Sequence, residues 1–317
     1  MGLSTAPQRG LFGRTGRRVS RLGLTTSQLV SANFVRHEDA VALVREAVRL
    51  GVDVVDTAPL YGLGEAEYMV GKALDRLPHE VFLIGKIGRF DRSIVAGHGD
   101  GCYRSEPLIT AQFEHSLRLL RRERLDLLLV HESDWPEWWD DDWWSAGGAA
   151  GVQGPVLDVL ERLREQGRIG GAGLFPSGPS RTAQLCAGGR FDALRHPNDV
   201  HLLRQESLAA SVRCAEAQNM GVAVGTDVGT TRAAFSARAE PARALAREAG
   251  LSLPELGLRW LLSQPGVHTV LVGPRDQEEL ERVVAWAAEP PLEEPLMCAV
   301  AGLSPTGREH PRIDGGE

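Results

Sequence analysis

Residues 52–86 read VDVVDTAPLYGLGEAEYMVGKALDRLPHEVFLIGK and hold two short strand-like segments with a helical segment between them. Strands are predicted at residues 52–56 and 81–86, where β-branched and other apolar residues cluster, and a helix is predicted at residues 65–77. A strand, a helix and a second strand in this order make the βαβ unit of a parallel sheet. This stretch therefore predicts an α/β fold, and the rest of the chain decides whether the sheet is open or closed.

The same alternation extends over most of the chain. Counting from Leu22, eight strands are predicted, and the six outside the opening stretch lie at residues 22–25, 125–130, 169–174, 191–194, 222–224 and 269–272. Further helices are predicted at residues 37–50, 107–122, 154–166, 207–219, 241–249, 254–263 and 277–288. Residues 9–21 carry glycines between short β-prone pieces, which predicts a small hairpin before the first of these strands.

Eight strands alternating with helices in 317 residues favour a closed (β/α)8 TIM barrel with an N-terminal β-hairpin. We expect one domain over residues 1–317, with its core at about residues 10–290 and a polar tail at 304–317, although the length also allows two small domains. A doubly wound sheet would need a G-x-G-x-x-G turn between a strand and a helix. The sequence has no such turn, so the barrel is the better prediction.

Composition argues against several classes of protein. The formal net charge is −7 and the basic residues are scattered, so the sequence lacks the basic block of a nucleic-acid-binding protein. No apolar stretch has the length of a membrane span, and the start lacks the apolar core of a signal peptide, so we expect a soluble cytoplasmic protein. The four cysteines lie far apart without metal-ligand spacing, which argues against a metal site and against a disulfide framework.

Side chains suited to acid–base chemistry lie at the predicted carboxyl ends of successive strands. Asp56 ends the second strand, Tyr61 follows it in a short loop, Lys86 ends the third strand and His131 ends the fourth. In a barrel these strand ends open onto one face, where residues distant in sequence meet. Lys86 stands out because it is one of only two lysines among 35 basic residues. Each residue alone also has an ordinary structural explanation, such as a turn cap or a core histidine.

Together the four side chains suit the reduction of a carbonyl group. A phenol titrates at about pH 10, so Tyr61 needs a nearby cation to act as an acid near neutrality, and Lys86 supplies one. Asp56 would keep that ammonium charged, and His131 would donate a hydrogen bond to the substrate carbonyl oxygen. A hydride arriving from the other side completes the reduction, and the reverse reaction oxidises an alcohol.

At these positions the chain resembles the aldo-keto reductase family. The resemblance is carried by residues 51–62 and 64–67, by Lys86 and by residues 127–131, with weaker matches at 13–24 and 260–267. It implies a (β/α)8 barrel that uses NADPH or NADH, with NADPH favoured. It also implies that Tyr61 is the general acid, that Lys86 and Asp56 tune it, and that His131 orients the substrate.

The positions expected to bind the cofactor match the family less well. They lie at strand ends and in the loops that follow: Thr26, Arg195, Asp227, Gly273 and Arg275. The serine and asparagine that the family uses for the nicotinamide carboxamide are replaced within GLFPS at residues 173–177, while Arg195 replaces a glutamine and Asp227 an aromatic residue. Arg275 is placed to receive a ribose phosphate at the start of the last predicted helix. We hypothesise that the acid–base residues persist in an altered nicotinamide pocket, where the cofactor sits differently or transfers no hydride.

Five of the seven tryptophans lie within residues 134–145, together with three consecutive aspartates. Because this segment follows His131, we expect it to overhang the mouth of the barrel as a lid. Trp135, Trp138 and Trp139 would then offer flat surfaces to an apolar or aromatic substrate, and the aspartates would attract a cationic group. The alternatives are a protein contact or a loop packed on itself.

The sequence therefore predicts an NAD(P)H-dependent oxidoreductase that acts on a carbonyl or alcohol of a small organic molecule. One alternative is a non-redox tailoring enzyme, such as a dehydratase, cyclase or isomerase, that uses Tyr61, Lys86 and His131 for proton transfer alone. A second alternative is a binding or regulatory subunit that keeps the barrel without turnover.

Overall fold

The computed structural model describes residues 6–30, 36–75, 77, 80–89, 99–145, 152–178, 181–197, 200–226 and 239–304. An antiparallel hairpin of β1 (Arg9–Leu11) and β2 (Arg18–Ser20) precedes eight parallel strands that close into a barrel. The barrel strands, in chain order, are β3 (Leu22–Thr25), β4 (Val54–Asp56), β5 (Phe82–Ile87), β6 (Leu127–His131), β7 (Ala172–Phe175), β8 (Ala193–His196), β9 (Gly221–Thr226) and β10 (Thr269–Val272). The predicted barrel, its strands and the hairpin are confirmed.

Helices cover the outside of the barrel. In the described residues they are α1 (His37–Arg49), α2 (Glu65–Leu74), α3 (Glu106–Leu120), α4 (Asp141–Ser145), α5 (Pro155–Glu165), α6 (Thr182–Ala187), α7 (Glu206–Glu216), α8 (Glu240–Glu248), α9 (Leu253–Leu262), α10 (Gln277–Ala288) and α11 (Glu294–Ala301). Every predicted helix is present, with ends shifted by a few residues; α2 is shorter than predicted because Asp75 is extended, with φ −62° and ψ 124°. The sequence did not indicate α4, α6 or α11, which are too short for a helical period to repeat.

The hairpin segment closes the N-terminal end of the barrel. Phe12 is fully buried, and its ring centroid lies 5.4 Å from that of Phe82 in an edge-to-face contact. A Cβ atom at Gly221, the first residue of β9, would lie 2.5 Å from the Phe12 ring, so the ring fits only against a glycine. With this end plugged, the carboxyl ends of the strands form the open face.

Strand register brings polar residues to the same level at that open face. Thr25 is the register partner of Asp56 across β3 and β4, and His131 is the partner of Phe175 across β6 and β7. Apolar side chains fill the barrel below this level, and a larger apolar cluster lies between the barrel and the helices. The polar side chains of the mouth are therefore held on a rigid, closely packed base.

No helix in the described part of the chain is both long enough and apolar enough to cross a lipid bilayer. The same residues contain no group of three His, Cys, Asp or Glu side chains that could hold a metal ion. All four cysteines lie in the described residues, and none of them forms a disulfide bond.

Candidate active site

Three of the four residues proposed for catalysis lie at the carboxyl ends of neighbouring strands. Asp56 is the last residue of β4, Lys86 lies one residue before the end of β5, and His131 is the last residue of β6. All three are buried, with relative exposures of 0%, 1% and 7%. Neighbouring strands thus place a carboxylate, an amine and an imidazole at the same end of the barrel.

The Lys86 ammonium is held by Asp56 inside the barrel. Its Nζ donates to Asp56 Oδ1 at 2.7 Å and to the backbone oxygen of Thr57 at 2.8 Å. The second carboxylate oxygen of Asp56 accepts from the Thr25 hydroxyl at 3.2 Å. Asp56 and Thr57 thus supply the opposite charge and the hydrogen-bond acceptors that a buried ammonium requires.

Tyr61 lies in the loop that follows β4 and is half-buried. The loop forms a short 3-10 turn at Tyr61–Gly64, in which Gly62 and Leu63 have positive φ angles of 61° and 53°. This turn directs the Tyr61 ring towards the barrel, where Lys86 Nζ lies 4.9 Å from the ring centroid. The Tyr61 ring therefore lies within cation–π distance of the buried Lys86 ammonium.

His131 is a neutral imidazole at neutral pH. Burial lowers its pKa well below the ordinary 6.5, and the positive charges of Lys86, Arg195 and Arg89 lower it further. Its ring stacks on Phe175, with centroids 4.9 Å apart and planes 20° from parallel. The side chain is thus oriented by a ring contact and can donate one N–H without carrying a charge.

Arg195 lies in the mouth, next to the predicted catalytic residues. It is 1% exposed, its Nε lies 3.7 Å from Asp56 Oδ2, and its Nη1 donates to the His196 backbone oxygen at 3.1 Å. Its guanidinium carbon lies 3.9 Å from the centroid of Phe175. Asp56 therefore faces two cations, Lys86 and Arg195, an arrangement that the sequence did not indicate.

The other residues predicted to bind the cofactor lie in three settings. Thr26 is fully buried, and its hydroxyl donates to Thr57 Oγ1 at 3.0 Å. Gly273 follows β10 and packs against Gln28. A Cβ atom at this position would lie 2.6 Å from the Gln28 side chain, so a larger residue would displace that side chain. Arg275 lies beyond it and pairs through Nε with Glu279 Oε2 at 3.1 Å. Asp227 lies outside the described residues.

The tryptophan-rich segment packs largely on the protein itself. Trp138 and Trp139 are fully buried, and their indole N–H groups donate at 2.9 Å to the backbone oxygens of His131 and Ser133. Trp135 is 37% exposed and is the member of the predicted substrate-binding set with an accessible ring. Of the aspartates, Asp141 pairs with Arg104 at 2.6 Å. In this conformation Trp138 holds the backbone of His131 through a hydrogen bond, and the ring of Trp135 is exposed to solvent.

Glu67 is a buried titratable residue that sequence reasoning missed. It lies on α2, fully buried, and burial raises its pKa to about 7 against the opposing effects of the Ser116 hydroxyl and the Lys86 charge. A carboxyl group on a helix face that otherwise carries Ala66, Met69, Val70 and Ala73 is the signal that could have found it. Because the charges of Glu67 and Lys86 interact, protonation of Glu67 changes the electrostatic potential at Lys86.

The barrel fold, with polar residues collected at the carboxyl ends of its strands, defines a TIM-barrel protein with its site at that face. The chain belongs to the aldo/keto reductase family, whose family model matches residues 21–300.

Individual relatives agree with this assignment. The chain is 30% identical over 161 residues to L-galactose dehydrogenase of Arabidopsis thaliana, covering 50% of this chain and 44% of that protein. It is 25% identical over 324 residues to pyridoxal 4-dehydrogenase of Microbacterium luteolum, covering 89% and 93% of the two chains. Among solved structures, an aldo-keto reductase from Klebsiella pneumoniae in complex with NADPH superposes with a TM-score of 0.70 at 20% identity, covering 98% of this chain and 100% of that one. This last likeness concerns the fold alone.

The family implies a nicotinamide dinucleotide, and two arginines of this chain fit its polar groups. In the mouth, the guanidinium of Arg195, almost fully buried beside the flat ring of Phe175, has the donor chemistry that suits a carboxamide oxygen. At the start of α10, the Arg275 side chain is 38% exposed and can meet a phosphate. The helix N-terminus itself contributes less, because Asp276 Oδ1 already accepts from the Glu279 N–H at 2.8 Å. In this chain the groups suited to hold the cofactor are therefore arginine side chains, in place of the side-chain amides expected from the family.

Proposed function

We propose that the protein is an NAD(P)H-dependent oxidoreductase that reduces a carbonyl group, or oxidises an alcohol, of a small organic molecule, with Tyr61 as the acid or base. The observation that carries this proposal is the Lys86 ammonium, fixed 2.7 Å from Asp56 Oδ1 and 4.9 Å from the Tyr61 ring centroid. A single domain over residues 1–317 and a cytoplasmic location belong to the same proposal.

In the direction of reduction, Tyr61 donates its phenolic proton to the carbonyl oxygen. The phenolate left behind is stabilised by the ammonium of Lys86, which is paired with Asp56 in a site that excludes water from the pair. His131 donates a hydrogen bond to the same carbonyl oxygen and, being neutral, does not compete as a proton donor. Trp135 offers the exposed ring face for the apolar or aromatic part of the substrate.

The cofactor supplies the hydride when it is bound. Arg195 would hold its carboxamide, and Arg275 would hold the ribose phosphate of NADPH, which makes NADPH the favoured cofactor. Support comes from the NADPH complex of the Klebsiella pneumoniae neighbour and from relatives named as dehydrogenases.

The test is carbonyl-dependent oxidation of NADPH by the purified protein, followed by absorbance, in the parent and in two tyrosine variants. Tyr61→Phe removes the proton donor and should lower kcat by about 100-fold or more. Tyr68→Phe is the matched control, because Lys72 Nζ lies 5.6 Å from the centroid of that exposed ring, away from the barrel mouth. Equal activity of Tyr61→Phe and the parent would refute the proposed role of Tyr61.

A second candidate function is proton transfer without hydride transfer, as in a dehydratase, cyclase or isomerase. It is favoured by one observation: Phe175 and Arg195 stack in the mouth where the family's carboxamide partners are expected. Titration of the protein with NADPH and NADH separately, followed by tryptophan fluorescence, separates the two functions. Saturable quenching at micromolar concentrations by either cofactor would rule out the cofactor-free version of the second candidate.

A further inference from the structure

Two charged residues with left-handed backbone conformations leave the strand ends that carry Lys86 and His131. Arg89 has φ 48° and Glu132 has φ 53°, and neither is a glycine. Such conformations cost free energy for a residue with a Cβ atom and persist only where the surroundings hold them. The Arg89 guanidinium forms an ion pair through Nη1 with Glu132 Oε1. The two strained residues are thus joined across the ends of β5 and β6.

The backbone beneath Arg89 is held from two sides. Gly88 donates its N–H to Gln112 Oε1 at 2.7 Å and accepts from Gln112 Nε2 at 3.2 Å. On its other side, a Cβ atom at Gly88 would lie 2.4 Å from the Trp138 ring, and Trp138 also donates to the His131 backbone oxygen. The Trp138 indole therefore packs against Gly88, which precedes Arg89, and also holds His131, which precedes Glu132.

The two side chains of the pair differ in exposure, and the more exposed one, Arg89, is accessible to a ligand. The Glu132 side chain is 6% exposed, whereas that of Arg89 is 42% exposed. A guanidinium has five N–H donors, and among the described residues Arg89 donates through Nη1 to Glu132, so donors remain for a second acceptor. Glu132 is the buried anchor, and Arg89 presents its remaining edge to solvent at the mouth.

Positive charge acts on His131 from three side chains. After the larger effect of burial, Lys86, Arg195 and Arg89 each lower the pKa of His131, which places Arg89 close to the catalytic end of the barrel. Two further carboxylates, Asp134 and Glu137, lie close enough to raise the pKa of Glu132. Of these, Asp134 is already engaged, since it accepts the backbone N–H groups of Ser177 and Gly178 at 2.6 and 3.0 Å.

We propose that Arg89 selects carbonyl substrates that carry a carboxylate, and that Glu132 is a positioning residue that holds its guanidinium at the mouth. The inference rests on the proposed carbonyl reduction and names the substrate class. The backbone N–H of Trp135 donates to the backbone oxygen of Glu132 at 2.9 Å, and the Trp135 ring lies 6.0 Å from the ring of Tyr103, on which the charges of Arg89 and Glu132 both act. The substrate class is therefore an aromatic aldehyde or ketone with a carboxylate, which is opposite in charge to the cationic group expected from the aspartate cluster.

The experiment compares two aldehydes that differ in charge at one group, 4-carboxybenzaldehyde and methyl 4-formylbenzoate. The parent should favour the carboxylate by kcat/KM, and Arg89→Gln should lower that preference by about 10- to 100-fold, the effect of one charge-assisted hydrogen-bonded contact. Glu132→Gln should lower the same ratio, because it frees the guanidinium from its anchor. Arg104→Gln, which removes a cation paired with Asp141 on the same tryptophan-rich segment, is the control and should keep the parent ratio.

A binding measurement keeps the outcomes of the two proposals apart. Calorimetric titration with 4-methylbenzoate and with 4-methylbenzamide needs no turnover, and Arg89→Gln should weaken binding of the benzoate alone. Turnover of both aldehydes without a charge preference, or a preference unchanged in Arg89→Gln, overturns the role of Arg89 and leaves carbonyl reduction standing. Binding of the benzoate that depends on Arg89, without turnover of either aldehyde, supports the anion site and counts against the proposed reaction.

Discussion

Lys86 Nζ lies 2.7 Å from Asp56 Oδ1, and neither side chain exposes any surface to solvent. Such a pair contributes little net stability when complete, because both charges lose their hydration. Removing one partner is costly, since it leaves an uncompensated charge in the interior. The pair therefore fixes the position of the Lys86 ammonium beside the Tyr61 ring.

Asp56→Asn should consequently lower both stability and activity. We expect a loss of about 3–5 kcal/mol in the free energy of unfolding, because the Lys86 ammonium stays buried without its counter-ion. Asp75→Asn is the control: its pair with Arg121 is 3.1 Å long and half-exposed, so its loss should cost less than about 1 kcal/mol. Urea unfolding of the three proteins gives the comparison, and equal losses in the two variants would contradict the account of the buried pair.

Glu67→Gln should change the pH dependence of stability. The pKa of Glu67 is about 7 in the folded protein against an ordinary 4.5, so the unfolded chain loses this proton first as pH rises. The folded state is therefore progressively destabilised between pH 4.5 and 7, and the penalty is constant above that range. A glutamine cannot ionise, so relative to the parent the variant should gain about 3 kcal/mol on going from pH 4.5 to 7.5.

Denaturant unfolding of Glu67→Gln and of the parent at both pH values measures this gain. Glu80→Gln serves as the control, because its side chain is 91% exposed and its substitution should leave the pH dependence unchanged. A constant difference between the Glu67→Gln variant and the parent across this pH range would mean that Glu67 does not titrate there.

The part of the site that the sequence could predict consists of residues at strand ends. Asp56, Lys86 and His131 follow or close apolar runs, and in a closed parallel barrel such positions must share one face. The approach of Arg195 to Asp56 depends on the stagger between strands that lie far apart in the sequence. Local sequence patterns contain no information about that stagger. The left-handed conformations of Arg89 and Glu132 have no sequence signal either, because neither position is a glycine.

The tryptophan-rich segment illustrates a different limit. Its composition predicts aromatic surfaces near His131, and the segment does lie directly after β6. Which rings are buried is decided by the packing of an irregular loop, which has no period to read. Trp138 and Trp139 face the core, and Trp135 keeps an exposed ring.

Trp138→Phe tests whether the buried indole supports the site. The change removes the donor to the His131 backbone oxygen, which should cost about 1–3 kcal/mol of stability and, by loosening His131, lower kcat about tenfold. Trp139→Phe is a matched control, since that indole is equally buried and donates at the same 2.9 Å to Ser133. Both variants should lose stability by thermal unfolding, and only Trp138→Phe should lose kcat. A similar fall in kcat in both would indicate a general packing effect.

Arg275→Gln tests the phosphate end of the proposed cofactor site. Arg275 is the cation that follows β10, and its backbone N–H and Nε both bond to Glu279 Oε2, at 2.9 and 3.1 Å, which holds the side chain in place. NADPH carries one phosphate more than NADH, so losing this guanidinium should raise the Kd for NADPH by about 10- to 100-fold and leave that for NADH nearly unchanged. Arg282→Gln, on the same helix α10 and paired with Glu278 at 2.9 Å, is the control. Fluorescence titration of the parent and both variants with each cofactor measures six constants. Equal weakening of NADPH and NADH binding in Arg275→Gln would mean that this residue supports the helix start and does not contact the extra phosphate.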